Sequence, residues 1–458
     1  MMKKIILTLI LITLGLRINC FSQERTLPEV NPNPATIDMA RMLGKDVFEI
    51  NGVPYLQPTV EVVNATSNSR FYNKAFVPSK VDKPYFKVGI HGMYGVVPEE
   101  KKTYSPQLPN EEFSEKNLEF DPITGKFKYG RIYYSILPTP KIDSVSISDP
   151  YGLFYTALRG MFYNGLKDGS LKTPQFAPTS LGHGKVSFEL PPDTLKKLLQ
   201  NLTIMGYKIY DYLPKEIQDS LTNMLKSFPA FFNLPEGGNL NYIFAMVPQI
   251  EIGSLYGTEL LLRFIPPVDM GKIIGEFAFW GVGLKHSISQ YFNEGDEPNQ
   301  RYFDMAAQIV YQGTSLKNDI GVTNTKLEAN ATMLDFNIQV SKYFEDIIDV
   351  YSGFSYSFIE ISSKYVYYIP IEIQWQLGLI DKYSYTEPNF KPTKPGDLPD
   401  TQYNHPGDSA PQTANVKLSD KAIKWNIGLS RDIGPVTIFV DYTLSKINML
   451  TGGIVYNF

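Results

Sequence analysis

Cysteine is almost absent from this chain of 458 residues: Cys20 is the only one. A mature form beginning after it can hold no disulfide and do no thiolate chemistry. Histidine is nearly as scarce, with His91, His183, His286 and His405 alone, none of them paired at metal-ligand spacing. The sequence has no His-Glu-x-x-His, no Gly-x-Ser-x-Gly elbow and no phosphate-binding Gly-x-x-x-x-Gly-Lys, so the common signatures of zinc hydrolases, serine hydrolases and nucleotide enzymes are missing. No enzyme activity, metal or cofactor is therefore expected. Positive charge is not in excess either: 43 Lys and Arg face 47 Asp and Glu, a net charge of −4, which argues against nucleic acid as a partner. Beyond the first residues no apolar run reaches the ~20 residues that a membrane helix needs. That absence leaves open a barrel, which crosses a membrane with strands that are apolar on one face only.

The N-terminus has the form of a secretory signal peptide. Lys3 and Lys4 precede the apolar stretch from Ile5 to Leu16, which is too short to span ~30 Å of hydrocarbon. Cleavage is expected near Gln23, giving a signal peptide over 1–23. Arg17-Ile18-Asn19 ahead of Cys20 lacks the Leu and the small residue of a lipoprotein signal. Losing Lys3, Lys4 and Arg17 would take the net charge from −4 to −7.

What the chain has in quantity is aromatics and turn formers: Tyr 30, Phe 28, Gly 34 and Pro 33. With these comes period-2 alternation, the mark of a strand with one apolar face. Leu334, Phe336, Ile338 and Val340 oppose Asp335, Asn337, Gln339 and Ser341. Val436, Ile438, Val440 and Tyr442 oppose Thr437, Phe439, Asp441 and Thr443. A soluble sandwich would bury the apolar face and a barrel would turn it to lipid. The C-terminus favours the barrel, because Ile454, Tyr456 and Phe458 share one face and the last residue is aromatic. This resembles the terminal strand that the barrel assembly machinery recognises, with Phe458 and Tyr456 as its assembly residues. The class predicted is all-β, a transmembrane antiparallel β-barrel over 81–458 in the outer membrane of a Gram-negative bacterium.

Ten stretches read as strands: 84–97, 240–252, 256–266, 273–291, 301–313, 325–342, 347–360, 421–430, 434–444 and 448–458. Allowing for hairpins hidden in 98–239 and 361–380, the expected total is about 12–14 strands. Three regions differ. Residues 24–80 begin as Pro-rich coil and then show a short helix from Ala35 to Phe48, and such a segment ahead of the first strand is expected either to plug the lumen or to form a periplasmic tail. Residues 193–228 read as a helical insertion, capped at Asp193 and carrying Leu195, Leu198, Leu199, Leu202, Ile217, Leu221 and Leu225. Residues 381–420, with six prolines among polar residues, read as a long outer loop.

The candidate lumen residues are Glu259, Arg263, Asp335, Asn337, Gln339 and Asp441. Leu261 and Ile265 share the face of Glu259 and Arg263, and 276–284 is apolar on both faces. An inward face that is apolar must meet a plug, a helix or an apolar ligand. His91 and His286 fall on predicted strands, where a hydrogen-bonded aromatic is the expected role.

Pro54-Tyr55-Leu56-Gln57-Pro58, Gly257-Thr258-Glu259-Leu260 with Arg263 and Pro266, and Trp280-Gly281-Val282-Gly283-Leu284-Lys285-His286 resemble an uncharacterised family of Gram-negative outer-membrane proteins of unknown function. The architecture is also similar to FadL-type long-chain fatty acid transporters, which share its length, N-terminal segment and helices ahead of the central strands. Strands apolar on both faces, with the N-terminal and helical insertions, point to passive uptake or binding of small hydrophobic molecules through a plugged lumen, and the expected partners are outer-membrane lipid, the assembly machinery and a hydrophobic ligand. The alternatives are a barrel for surface attachment or assembly and, with less support, a lipid-modifying barrel enzyme.

Overall fold

A computed structural model describes residues 34–67, 74–112, 118–121, 126–129, 132–134, 150–204, 207–212, 215–226, 230–269, 276–292, 302–320, 325–344, 347–367 and 412–458. The expected signal peptide, residues 368–380 of the stretch allowed for a hidden hairpin and the loop residues 381–411 lie outside them. Ten strands form one closed antiparallel barrel. They are β1 (Tyr85–Val96), β2 (Tyr242–Leu255), β3 (Thr258–Asp269), β4 (Glu276–Ser287), β5 (Asp304–Ile320), β6 (Thr325–Phe344), β7 (Ile348–Tyr367), β8 (Gln412–Ile433), β9 (Val436–Leu444) and β10 (Met449–Asn457). Each pairs with the next, and β10 closes onto β1 from Lys87↔Asn457 to Gly95↔Met449.

Each of the ten stretches read as strands is a barrel strand, and the total of about 12–14 is corrected to ten. The reason lies in where the extra segments go. Residues 361–367 extend β7 and 412–420 begin β8, so the outer loop is shorter than 381–420 at its C-terminal side. Between β1 and β2 the short strands pair only among themselves, as in Thr103–Tyr104 with Ala177–Pro178 and Ser187–Glu189 with Phe231–Asn233. At one rim the links are short. Tyr256 and Gly257 turn β2 into β3 with φ of 47° and 74°, the left-handed pair that a two-residue hairpin requires.

Outward faces carry a continuous apolar belt: Val88, Ile90, Phe244, Met246, Trp280, Val282, Ile309, Phe336, Ile338, Phe354, Ile423, Ile427, Ile438 and Ile454 are all exposed. A water-soluble protein does not present such a band, and lipid is the solvent it fits. Aromatics edge it on both sides. Phe86 and Tyr94 on β1 are eight residues apart, which at ~3.4 Å per residue and ~40° of tilt spans about 20 Å. Above the belt the polarity of the long strands inverts. On β6 the outward residues pass from Phe336 and Leu334 to Thr332, Asn330 and Glu328, while the inward ones pass from Asn337 and Asp335 to Met333 and Ala331. β7 inverts between Phe358 and Glu360, and β8 between Ile423 and Lys421. Thr332 pairs with Glu360 and Glu360 with Ser419, so the three inversions lie along one line across the sheet.

The inverted inner wall is covered by α1 (Pro34–Ser67), far longer than the helix expected over Ala35–Phe48. Pro54 and Pro58 make the sequence look broken there, and each removes one helical hydrogen bond. Beside them the Tyr55 carbonyl accepts the Ser180 N–H at 2.9 Å. Val60, with Leu56 and Val63, packs on Ala331, Met333, Ile359, Ile361, Val416 and Leu418. Ala65 packs on Met93, Val97, Ile243, Val247 and Phe279. Further up, Leu43 and Val47 join the core of the insertion over 97–241. This insertion carries α2 (Pro150–Asp168), which sequence patterning missed, and α3 (Pro192–Gln200), α4 (Ile209–Tyr212) and α5 (Lys215–Lys226) in the expected helical segment. Leu195, Leu198, Leu199, Leu202 and Leu225 bury there against Leu158, Met161 and Phe162. The chain thus descends from a cap at the long-link mouth into the barrel. Lys74 and Ala75 then reach the opposite rim, where they meet Asp432 and Ser341.

Arginine placed below the inversion line must meet hydrocarbon, and above it water. We expect Ile338→Arg to lower stability by about 2–4 kcal/mol and Thr332→Arg by no more than about 1. Urea titration of the protein refolded into vesicles measures both, and equal losses would discard this placement of the membrane.

Candidate functional site

The lower lumen, beneath α1, is lined by polar side chains that contact one another across neighbouring strands. On β1–β4, Glu259 is fully buried. It bonds Lys285 at 2.7 Å, Lys87 at 3.1 Å and the Tyr85 hydroxyl at 2.5 Å. Lys87 also reaches Glu251 at 3.2 Å. Gln249 donates to Glu251 at 2.6 Å and accepts from Arg263 Nε at 3.0 Å. Three cations and two carboxylates therefore interlock along four of the ten strands. Taking such charges from water is costly unless each finds a partner.

Across the lumen, on β5–β7, the network is neutral but for one carboxylate. Asn337 donates to Gln308 at 2.9 Å and to Asp335 at 3.1 Å, Gln339 donates to Asn337 at 3.4 Å, and the Ser357 hydroxyl donates to Asp335. On β7–β9, Tyr351 reaches over β8 to donate to Asp441 at 3.0 Å. The strand between contributes Gly428, where an added Cβ would lie 2.4 Å from Tyr351 Cζ and 2.5 Å from Asp441 Cβ. Only glycine leaves room for that crossing. All six expected lumen residues point inward and are buried. They fall in three groups, namely Glu259 with Arg263, then Asp335 with Asn337 and Gln339, then Asp441 alone.

Sequence reasoning missed the partners Tyr85, Lys87, Gln249, Glu251, Lys285, Gln308, Tyr351 and Ser357. Most were available from hairpin register, because Lys87↔Glu251, Glu259↔Lys285, Gln249↔Arg263, Gln308↔Asn337 and Asp335↔Ser357 are all direct cross-strand pairs. The apolar inward residues also find their reason: Phe279, with the half-buried Phe277 and Ile265, packs in the cluster that holds Ala65 of α1.

α1 is also held by polar contacts at the inversion level. Asn64 donates to Asp420 at 3.0 Å, Lys424 donates to the Asn64 carbonyl at 2.8 Å, and Lys446 pairs with Asp420. Glu61 pairs with Lys101 of the cap at 2.7 Å. In the cap, burial pushes the Tyr55 phenol up to about 12, with Glu236 adding to the shift, so it stays a neutral donor to the Glu236 carbonyl at 2.8 Å. At the short-link rim a cavity of about 220 Å³ opens among Lys74, Phe76, Tyr85, Lys87, Thr437 and Asn457.

His286 is not in the lumen. It bonds Thr258 at 2.8 Å, Tyr291 at 2.8 Å and Gln290 at 3.0 Å beside the β2–β3 turn. His91 faces inward against the Phe439 ring, 4.7 Å between centroids. Tyr456 and Phe458 face outward with rings 4.7 Å apart, and the Phe458 N–H closes onto the Phe86 carbonyl at 2.9 Å. Among the described residues no group of His, Cys, Asp and Glu could hold a metal ion.

Residues 161–458 match DUF6588, described as a family of unknown function. The chain belongs to this family. The match takes in β2–β10 and most of the cap helices, and leaves α1 and β1 ahead of it. No curated protein matches the chain. Among solved structures, OccAB2 of Acinetobacter baumannii is 8% identical over 83% of this chain and 99% of its own, with a TM-score of 0.14. OpdO of Pseudomonas aeruginosa is 7% identical over 83% and 98%, with a TM-score of 0.12. Likenesses this slight carry no argument about this DUF6588 member.

Glu259→Gln would remove the negative charge that two lysines share and leave buried Lys285 without a counter-charge. The expected loss is about 3 kcal/mol, read by urea unfolding in vesicles. A loss under about 1 kcal/mol would mean that water screens the lumen at this point.

Proposed function

We propose that this protein is a porin-like outer-membrane barrel that is closed at rest by its own N-terminal segment, residues 24–80. The supporting observation is the seat of α1 on the apolar inner wall at Ala331, Met333, Ile359, Ile361, Val416 and Leu418. A passage for water would not be lined this way, and the wall has α1 as its partner. With α1 displaced, the mouth becomes an apolar vestibule above a polar lower lumen. That combination suits passive uptake or binding of small hydrophobic molecules. The FadL-type likeness stays within this proposal, because no ligand residue of that family maps onto this chain. Assembly is assigned to Phe458 and Tyr456, which sit at the terminal aromatic edge.

A surface-attachment barrel is the second reading, favoured by the size of the cap. A lipid-modifying enzyme is the third and weakest, since His286 is engaged by Thr258, Tyr291 and Gln290. We assign no catalysis.

Conductance in a planar lipid bilayer tests the closed state. Wild-type protein should insert with little current. Val60→Asp, which sets a charge against Met333 and Ile359, should raise the open fraction at least about tenfold, as ~1.4 kcal/mol of lost seating would. Large, steady, ohmic steps from the wild type would replace this reading with an open aqueous pore. A quiet wild type that binds a fluorescent apolar probe such as N-phenylnaphthylamine more tightly after Val60→Asp would support the hydrophobic vestibule.

A further inference from the structure

Glycines crowd the seam where β10 closes onto β1, and they divide into two kinds. Gly89, Gly95 and Gly453 turn inward, and the packing of the barrel requires them. A Cβ on Gly89 would lie 2.8 Å from Val455 Cγ2, one on Gly453 would lie 2.5 Å from the Ile90 carbonyl oxygen, and one on Gly95 would run into the Met449 sulfur. Gly92 and Gly452 are different. They are direct partners in the ladder and turn outward. A Cβ on Gly92 would meet nothing nearer than the Gly452 carbonyl oxygen at 3.7 Å, and one on Gly452 nothing nearer than the Phe439 carbonyl oxygen at 3.6 Å. Neither has a positive φ, and the β1–β10 and β9–β10 ladders run past them without a shift of register. Alanine would fit at both positions, and glycine inside a strand costs about 0.5–1 kcal/mol relative to it. Where no bulge or bend explains such a glycine, the remaining reason is the close approach of another molecule.

Two side chains missing side by side leave a groove in the outer surface. Its volume is about 700 Å³, and Val88, Ile90, Met246, Ile438, Ile454 and Tyr456 line it around the glycine pair. All six are exposed members of the outward belt, and no charged residue lines the groove. On β1 it lies between Phe86 and Tyr94, the aromatics that edge the belt, so hydrocarbon is the medium around it.

That placement narrows the choice of occupant. A soluble partner does not reach this level, and an empty groove would forfeit dispersion contacts along each of its walls. A second copy of the protein fits poorly, because a two-fold contact centred here sets the same depression against itself and encloses a void. A single hydrocarbon chain is narrow, apolar and flexible enough to follow the floor.

We propose that this groove binds an acyl chain of a membrane lipid, seated on Gly92 and Gly452, and retains it longer than the rest of the belt does. The site is on the outside of the barrel and does not depend on how α1 closes the mouth.

The test uses full-length protein refolded into vesicles of phosphatidylethanolamine and phosphatidylglycerol. A fraction of the phosphatidylethanolamine carries a diazirine midway along one acyl chain. After illumination, mass spectrometry maps the lipid adducts. For each exposed belt residue, adducts on β1 and β10 should exceed those on β5 and β6, around Ile309, Phe336 and Ile338, by at least about threefold, the ratio that ~0.7 kcal/mol of preference gives. Gly92→Leu with Gly452→Leu fills the groove and should bring the two faces to parity. Heat-dependent migration on a gel checks that this variant folds. Gly92→Ala with Gly452→Ala is the milder pair, used if the leucines prevent folding, and should reduce the excess in the same direction. Equal adduct density on both faces of the wild type would overturn the proposal, as would an excess that either substituted pair leaves unchanged. A wild-type dimer that the substitutions convert to a monomer would assign the groove to a second copy and overturn it too.

Discussion

Water, lipid and protein meet the same strands at different heights, and the placement of apolar side chains must satisfy all three. Below the line through Thr332, Glu360 and Ser419, lipid lies outside, so the apolar face turns out and the inner face is polar. Above it, water lies outside and the faces exchange. The exchange creates an apolar strip inside the barrel mouth that would face water if the mouth were empty. α1 is the element that removes this strip from water, so the length of β5–β8, the cap that holds α1 and the closed mouth follow from one arrangement. Burial of the strip contributes at about 25 cal/mol for each Å² covered. The strip is made of Ala, Val, Met, Leu and Ile, and beside it the buried Asp420 and Lys424 hold α1 through Asn64.

The lower lumen obeys the opposite rule. There the inner face of the wall meets neither lipid nor a helix, and register pairs many of its polar groups with one another, while both polar atoms of the Gln312 amide and the Ser355 and Ser430 hydroxyls are buried with no hydrogen-bond partner among the described residues. Glu259 sits directly across from Lys285, Lys87 across from Glu251, and Asn337 across from Gln308. Side chains opposite one another in a ladder are already within reach, so each contact costs little ordering entropy beyond that of the sheet. Where a partner lies two strands away, as for Tyr351 and Asp441, the strand between must give up its side chain, and Gly428 does. The lower lumen is thus a brace across the wall, whereas the outer lumen is a seat.

These two regimes set what the sequence could reveal. Alternation found all ten strands, because a lipid-facing residue and its lumen-facing neighbour differ sharply in polarity over the middle of each strand. It placed Glu259, Arg263, Asp335, Asn337, Gln339 and Asp441 inward for the same reason. It missed the upper parts of β5, β7 and β8, and on β7 and β8 the face that carries the apolar residues changes at the crossing. Glu360 and Ser419 interrupt an apolar face that the next residues resume on the other side. It cut α1 short at Phe48 because Pro54 and Pro58 end most helices, and nothing local shows that a carbonyl near them is taken up by Ser180, far along the chain. α2 was hidden by its glycines and aromatics, which pattern as loop until the cap core exists. In the lumen the single residues were legible and their partners were not, since partnership is a property of register and only a committed hairpin alignment supplies it.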